Sequence, residues 1–226
     1  MALRLRLDQL VVDKGLAPSR ERARALILAG QVTVDARPIT KAGTPILADA
    51  HVALVAPDHP YVGRGGVKLA HALDTFAISV SGREALDIGA STGGFTDALL
   101  QRGASRVVAL DVGHGQFDWS LRNDPRVVVV EHFNARRLVR ADLPAPVDVV
   151  VIDVSFISLK QILPVVPPLL RPGADVVALV KPQFEAGRAE VRKGIIREPA
   201  IHARVLDEVA SAAAEVGLTS VGSTPS

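Results

Sequence analysis

The 226-residue sequence predicts a doubly wound α/β domain preceded by a small α+β module. From residue 84 onward, five short segments are dense in Val, Leu, Ile and Ala: Glu84–Gly89, Val107–Val112, Val127–Glu131, Val147–Asp153 and Asp175–Lys181. Helical stretches follow or separate most of them, at Gly93–Arg102, Ser158–Leu170 and Pro199–Val216. Near-continuous apolar strands with intervening helices imply a parallel sheet covered on both faces. The first fifty residues follow a different pattern, and the proline-bearing stretch Ala56-Pro57-Asp58-His59-Pro60 separates the two. The divisions expected are a first module over 1–56, a linker over 57–62 and the α/β domain over 63–226.

In the first module, Leu5, Leu7, Leu10, Val11 and Val12 form one apolar stripe that stops at Gly15. Ala17-Pro18-Ser19-Arg20 supplies a helix start with Ser19 as N-cap, and Arg20–Leu28 is the second helix. That helix sets Ala23, Leu26 and Ile27 on one side and Arg20 and Arg24 toward the other. Gly30 ends it. Gln31–Val34 with Asp35-Ala36-Arg37 reads as a strand and turn, and His51–Val55 as a further strand.

Composition excludes several classes. Apolar residues make up 48% and charged residues 22%, the balance of a folded globular chain. No uncharged apolar run approaches the ~18 residues that span a bilayer. Charges thread the N-terminal MALRLRLDQL, so it does not read as a signal peptide, and a cytoplasmic location is expected. With no cysteine, thiol catalysis and thiolate metal sites are excluded. The six histidines are scattered, without ligand spacing, so no metal is expected. Net charge is +2, but residues 1–42 carry eight basic side chains against four acidic ones. A basic module joined to a near-neutral one suggests a polyanionic partner such as nucleic acid; an ordinary solvated helix face reads the charges equally well.

Ligands of open α/β sheets bind beyond the carboxyl ends of the strands. The first strand runs into Asp87-Ile88-Gly89-Ala90-Ser91-Thr92-Gly93-Gly94-Phe95. Its G-x-x-x-G-G spacing differs from the G-x-G-x-x-G of dinucleotide binders, and the G-K-[ST] of a Walker loop is absent. D-x-G-x-x-x-G-G-F is instead similar to the first motif of S-adenosylmethionine (AdoMet) methyltransferases. Asp111 ends the second strand 22 residues after Gly89, where a carboxylate can accept from both hydroxyls of an adenosyl ribose; NAD would suit that spacing too. Asn134, after the third strand, is placed either at an adenine edge or as a loop cap. Asp153 follows a buried run and requires a cation. Lys181 ends the fifth strand, and Lys68 lies in Gly63-Arg64-Gly65-Gly66-Val67-Lys68-Leu69. The chain uses 20 Arg and only 6 Lys, and Lys68 and Lys181 both fall at strategic positions; an ammonium suits proton chemistry better than a guanidinium.

RLDQLVVDKGLAPSRERARALILAGQVTVDARPITKAG resembles an S-four-type RNA-binding domain. The resemblance implies an RNA face holding Arg4, Arg20, Arg24 and Lys41; Arg64, ahead of Lys68, joins the set. GRGGVKL, DIGASTGGF, ALDVGHGQ, SLRNDPRVVV, VIDVSFISL and LVKPQFE, in that order behind such a domain, closely resemble the TlyA family of FtsJ-like ribose methyltransferases. That family implies AdoMet-dependent 2′-O-methylation of cytidine in ribosomal RNA. It also implies a cofactor site at Asp87, Gly89, Ser91, Thr92, Gly93, Gly94, Phe95, Asp111 and Asn134. Of its Lys-Asp-Lys-Glu catalytic pattern, Lys68, Asp153 and Lys181 match. The glutamate, in a G-N-x-E segment on the terminal strands, has no counterpart in Val221–Ser226, and Thr219–Gly222 is expected only to begin a sixth strand. A C-terminally incomplete methyltransferase sheet is therefore expected, in a protein acting as a monomer on ribosomal subunits without metal or membrane. Two alternatives stand beside the enzyme. One is a catalytically impaired rRNA-binding or assembly factor. The other is the membrane activity implied by the family's second label, haemolysin, for which no spanning or basic amphipathic aromatic helix is present.

Overall fold

The computed structural model describes residues 3–17, 19–55, 59–187, 190–191 and 196–226. Pro18 of the predicted helix start and residues 56–58 of the predicted linker lie outside the described residues. The chain divides into two compact units, Met1–Pro60 and Tyr61–Ser226.

In the first unit, β1 (Arg4–Arg6) leads directly into α1 (Leu7–Asp13), followed by α2 (Arg20–Leu28). Ser19 caps α2, its hydroxyl accepting from the Arg22 amide at 3.2 Å, as the sequence predicts. Then come β2 (Val32–Val34), β3 (Arg37–Pro38), β4 (Pro45–Leu47) and β5 (Val52–Leu54). β2 is flanked by β3 and β5, both antiparallel, while β1 pairs with β4. Asp35 and Ala36 have φ of 48° and 64°, both positive as a two-residue hairpin of matching twist requires. Leu7, Leu10, Val11, Ala23, Leu26, Ile27 and Val32 form the core. Ala23, Leu26 and Ile27 of α2 are buried as expected, but Arg20 and Arg24 do not turn away from that side: they flank it and both reach the buried Asp8. Leu5, expected in the stripe of the first helix, belongs instead to β1, which the alternation Leu3-Arg4-Leu5-Arg6-Leu7 carries, whereas β3 and β4 have no such alternation.

The second unit opens with α3 (Gly65–Thr75), β6 (Glu84–Ile88), α4 (Gly94–Gln101), β7 (Arg106–Leu110), the single turn α5 (Trp119–Arg122) and β8 (Val127–Val130). It continues through β9 (Val147–Ile152), β10 (Leu170–Ala178), α6 (Pro182–Glu185) and α7 (Pro199–Glu215). The five strands are parallel in the order β10-β9-β6-β7-β8. The chain reverses its direction of travel between β6 and β9, which makes their carboxyl ends the topological switch point. Ala85, Val149 and Val151 pack with Leu69, Leu73, Leu99 and Phe95 of α3 and α4 on one face. Leu86, Ile88, Val150 and Ile152 pack with Leu159, Ile162, Leu169 and Val209 on the other.

Three expectations are corrected. Ser158–Leu170 is not one helix but three successive 3₁₀ turns, Leu159–Gln161, Leu163–Val165 and Pro167–Leu169. Pro164, Pro167 and Pro168 lack the amide donors that an α-helix needs there. The fifth strand begins at Leu170 rather than Asp175, with its register interrupted between those residues. Thr219–Gly222 joins no strand; the extended terminal segment reaches α3, where His71 Nε2 and Thr224 Oγ1 are 3.1 Å apart.

Gly89 is the point of closest approach at the switch. Its φ is +89°, and an added Cβ would lie 2.6 Å from the Asp153 carbonyl oxygen, a contact with backbone that cannot yield cheaply. Gly89→Ala is expected to cost about 2 kcal/mol or more of stability, measured by urea unfolding.

Candidate active site at the carboxyl end of the sheet

Strand alternation decides which side chains can meet here. Asp87, Asp153 and Lys181 share parity with Ala85, Val151 and Leu179, so all three lie on the α3/α4 face. Asp153 and Lys181 continue past β9 and β10, and the Asp153 Oδ1 to Lys181 Nζ distance is 2.5 Å. The Lys181 ammonium also donates to Ser155 Oγ at 2.8 Å. The two ion-paired side chains are 24% and 20% exposed, shielded yet reachable. The predicted need of Asp153 for a cation is thus met by Lys181.

The N-terminus of α3 closes on the same place. A Cβ on Gly65 would lie 3.9 Å from Asp153 Oδ2 and 3.3 Å from the Phe95 ring. Lys68 lies exposed one turn further along α3, and among the described residues it does not join the ion pair. Glu185, at the end of α6, accepts from Ser158 Oγ at 2.5 Å and from the Leu159 amide at 2.7 Å. It thereby ties the segment after Lys181 to the loop after Asp153. Within that loop Phe156 adopts φ of 64° and is 92% exposed, its ring 5.1 Å from that of Phe184.

The glycine-rich turn separates into residues that pack and residues that face outward. Gly93, at φ +96°, backs onto Leu121 and Phe117. Gly94 lets α4 approach Gly63–Gly66, and a Cβ there would lie 3.1 Å from the Gly66 amide nitrogen. Phe95 is buried in the core, while Ser91 and Thr92 are exposed. Asp111 accepts from the Ser91 amide at 2.8 Å and the Gly113 amide at 2.6 Å, which fixes its carboxylate at the end of β7. A narrow cleft beside it is lined by Ala90, Ser91, Gly113, His114, Phe117 and Glu131, among others. The chemistry of the donor set fits an adenosyl group: a carboxylate held by backbone amides keeps further lone pairs for a ribose diol. Asn134 is not among the cleft-lining residues; its Oδ1 accepts from the Arg136 amide at 3.1 Å and caps a 3₁₀ turn. Arg64 is exposed at the start of α3. Ser155, His114 and Glu131 are not among the sequence-predicted site residues, and Glu185, close to Lys181 in sequence, has no feature there that assigns it a role. ALDVGHGQ carried His114, whereas nothing local marked Glu185.

Among the described residues no cluster of His, Asp or Glu could hold a metal ion, and no helix is long and apolar enough to cross a membrane. A wider groove lies away from these groups, where Lys160 and Arg204 pair with Glu208 along α7.

Asp87 is fully buried beneath the turn. Thr96 Oγ1 donates to its Oδ2 at 2.7 Å, and among the described residues Oδ1 has no hydrogen-bond partner. Burial, reinforced by the nearby Asp153 charge, pushes its pKa up to about 7. The folded protein therefore binds a proton that the unfolded chain, with its ordinary carboxyl, releases near pH 4. Stability from this group is full below that pH and is lost as pH rises to about 7, by up to roughly 4 kcal/mol. Asp87→Asn is expected to remove this loss, so that urea unfolding of wild type and variant differs more at pH 8 than at pH 4.

Comparison with known proteins places both units. Residues 61–226 match the FtsJ-like methyltransferase family, and residues 5–52 match the S4 domain. The chain is 49% identical over 224 residues to the 16S/23S rRNA (cytidine-2′-O)-methyltransferase TlyA of Mycobacterium tuberculosis, covering 98% of this chain and 84% of that protein. It is 42% identical over 225 residues to hemolysin A of Brachyspira hyodysenteriae, covering 97% and 92%. A solved structure from Streptococcus thermophilus, described as a candidate hemolysin, aligns at TM-score 0.73 and 43% identity over 96% of this chain and 80% of that one. With a matching family over the whole second unit and a relative of this similarity along nearly its full length, the chain belongs to the FtsJ-like methyltransferase family, with an S4 domain at its N-terminus.

Proposed function

We propose that this protein is an AdoMet-dependent rRNA (cytidine-2′-O)-methyltransferase acting in the cytoplasm. The observation that carries the reading is the Asp153–Lys181 pair at the switch point of the sheet, beside a cleft suited to an adenosyl group. AdoMet, when bound, supplies an electrophilic methyl group. In this reading Asp111, Ser91 and the amides around them hold the nucleoside part, and Asp87 with Thr96 supports the turn from below.

A ribose hydroxyl is a poor nucleophile at neutral pH, so its proton must leave or be shared as attack proceeds. Lys181, fixed from two sides by Asp153 and Ser155, stabilises the developing alkoxide as the ammonium, the hydroxyl proton passing to solvent, or takes that proton itself after first releasing one of its own to solvent. Because both partners sit on short loops tied together by Glu185, the ammonium is already oriented before substrate arrives. Lys68, on the exposed first turns of α3, meets the ribose or a phosphate of the substrate strand. The Phe156 ring presents a face on which an unstacked base can lie, the usual way single-stranded RNA is held. In the first unit the exposed Arg4, Arg20, Arg24 and Lys41 supply phosphate contacts that add affinity more than sequence information. Arg64 extends that set in the second unit.

Lys181→Ala is expected to lower methyl transfer by about a thousandfold or more while AdoMet binding stays near wild type. Transfer by label incorporation and binding by calorimetry separate the two quantities. Retained turnover would overturn the assignment of Lys181.

A further inference from the structure

In the first unit a carboxylate is buried with more cations than its own neutralisation needs. Asp8, in the first turn of α1, has no exposed surface. Arg6 binds it bidentately, Nε to Oδ1 and Nη2 to Oδ2, both at 3.0 Å. Arg20 Nη2 reaches Oδ2 at 3.2 Å and Arg24 Nε reaches it at 3.0 Å. The Gln9 amide adds a bond to Oδ1 at 3.0 Å. These contacts, that of Arg6 foremost, hold the Asp8 carboxyl well below the usual range. One guanidinium would satisfy one buried carboxylate. Here three converge from two elements, and each side chain remains about half exposed, at 52%, 47% and 54%.

The group therefore carries two positive charges in excess, in a fixed arrangement. Arg6 uses Nε and Nη2 on Asp8, and its Nη1 lies against Gly43, where an added Cβ would sit 3.3 Å away. Arg20 and Arg24 are one turn apart on the flank of α2 beside its buried Ala23 and Ile27, and from there both reach the buried Asp8. Arg20 engages Asp8 through one terminal nitrogen and Arg24 through Nε, so donors on both guanidiniums are left for a second oxyanion. Planar forks with spare donors suit a phosphate better than any other common anion.

We infer that Asp8 is the positioning residue of a phosphate site built from Arg6, Arg20 and Arg24, which takes the sugar–phosphate backbone of ribosomal RNA. The inference rests on the RNA-binding role proposed above for this unit, and it adds Arg6 to the contacts and gives Asp8 a task. A carboxylate on an RNA-binding face repels the ligand; Asp8 assists binding because it removes from three long side chains the rotamer freedom they would otherwise lose on binding.

The sign of one substitution decides the matter. Asp8→Asn removes a negative charge, so charge counting requires tighter RNA binding and a steeper salt dependence. Positioning requires the reverse. In a fluorescence titration of the full chain with transcribed ribosomal RNA at a series of KCl concentrations, Asp8→Asn is expected to bind about tenfold more weakly than wild type, with a shallower salt slope. Equal or tighter binding overturns the role of Asp8 while leaving the RNA reading intact; no binding by wild type overturns both. Should Asp8→Asn fail to fold, wild type alone gives the answer by side-chain NMR. The Nε–H groups of Arg6 and Arg24 should be ordered before RNA is added, and freely mobile ones would contradict the inference.

Discussion

An ionised carboxylate at the end of a buried strand is tolerable only where a cation reaches it, and the architecture of the second unit serves that one contact. Asp153 extends β9, between β10 and the central β6, at the point where the sheet changes its winding direction. Lys181 leaves the edge strand β10 at the same level, with matching parity, and closes to 2.5 Å. Gly89 allows the neighbouring strand end to pass within contact distance of the Asp153 carbonyl, and Gly65 allows α3 to come in from above. Glu185 then bridges the loops that carry the two charged groups. Were Lys181 further away, Asp153 would be a partly buried charge without its cation, which is unfavourable.

The two units handle charge in opposite ways. In the second, a single ammonium is matched to a single carboxylate and both are largely screened from water. In the first, one carboxylate gathers three guanidiniums and leaves their outer edges in solvent. The former suits local chemistry on one hydroxyl, the latter the backbone of a long polyanion. The S4 and FtsJ-like matches fall on these same two units.

Legibility of the sequence tracked how local each feature is. The five parallel strands were readable because burial on both faces makes each a run of Val, Ile, Leu and Ala. Asp153 and Lys181 were readable because a charged residue directly after such a run has few innocent explanations. The stretch 158–170 misled, since its apolar spacing suits a helix while its three prolines forbid one. The glycine motif was read as a single ligand-binding turn, yet Gly93, Gly94 and Phe95 face protein, and Ser91 and Thr92 face outward. Arg6 escaped notice because its partner Asp8 lies only two residues away, where an ion pair on a regular strand or helix would not be expected. Glu185 depends on a contact 27 residues distant, which no spacing rule reaches.

Transfer of a labelled methyl group to separated ribosomal subunits tests the central claim most directly. The wild-type chain would be incubated with methyl-labelled AdoMet and each subunit, and the RNA then hydrolysed in alkali. The account requires label in an alkali-resistant dinucleotide whose 5′ residue is cytidine, since a 2′-O-methyl group blocks cleavage of the following bond. Label on a base, on a ribose other than that of cytidine, or on neither subunit while AdoMet is bound would contradict it.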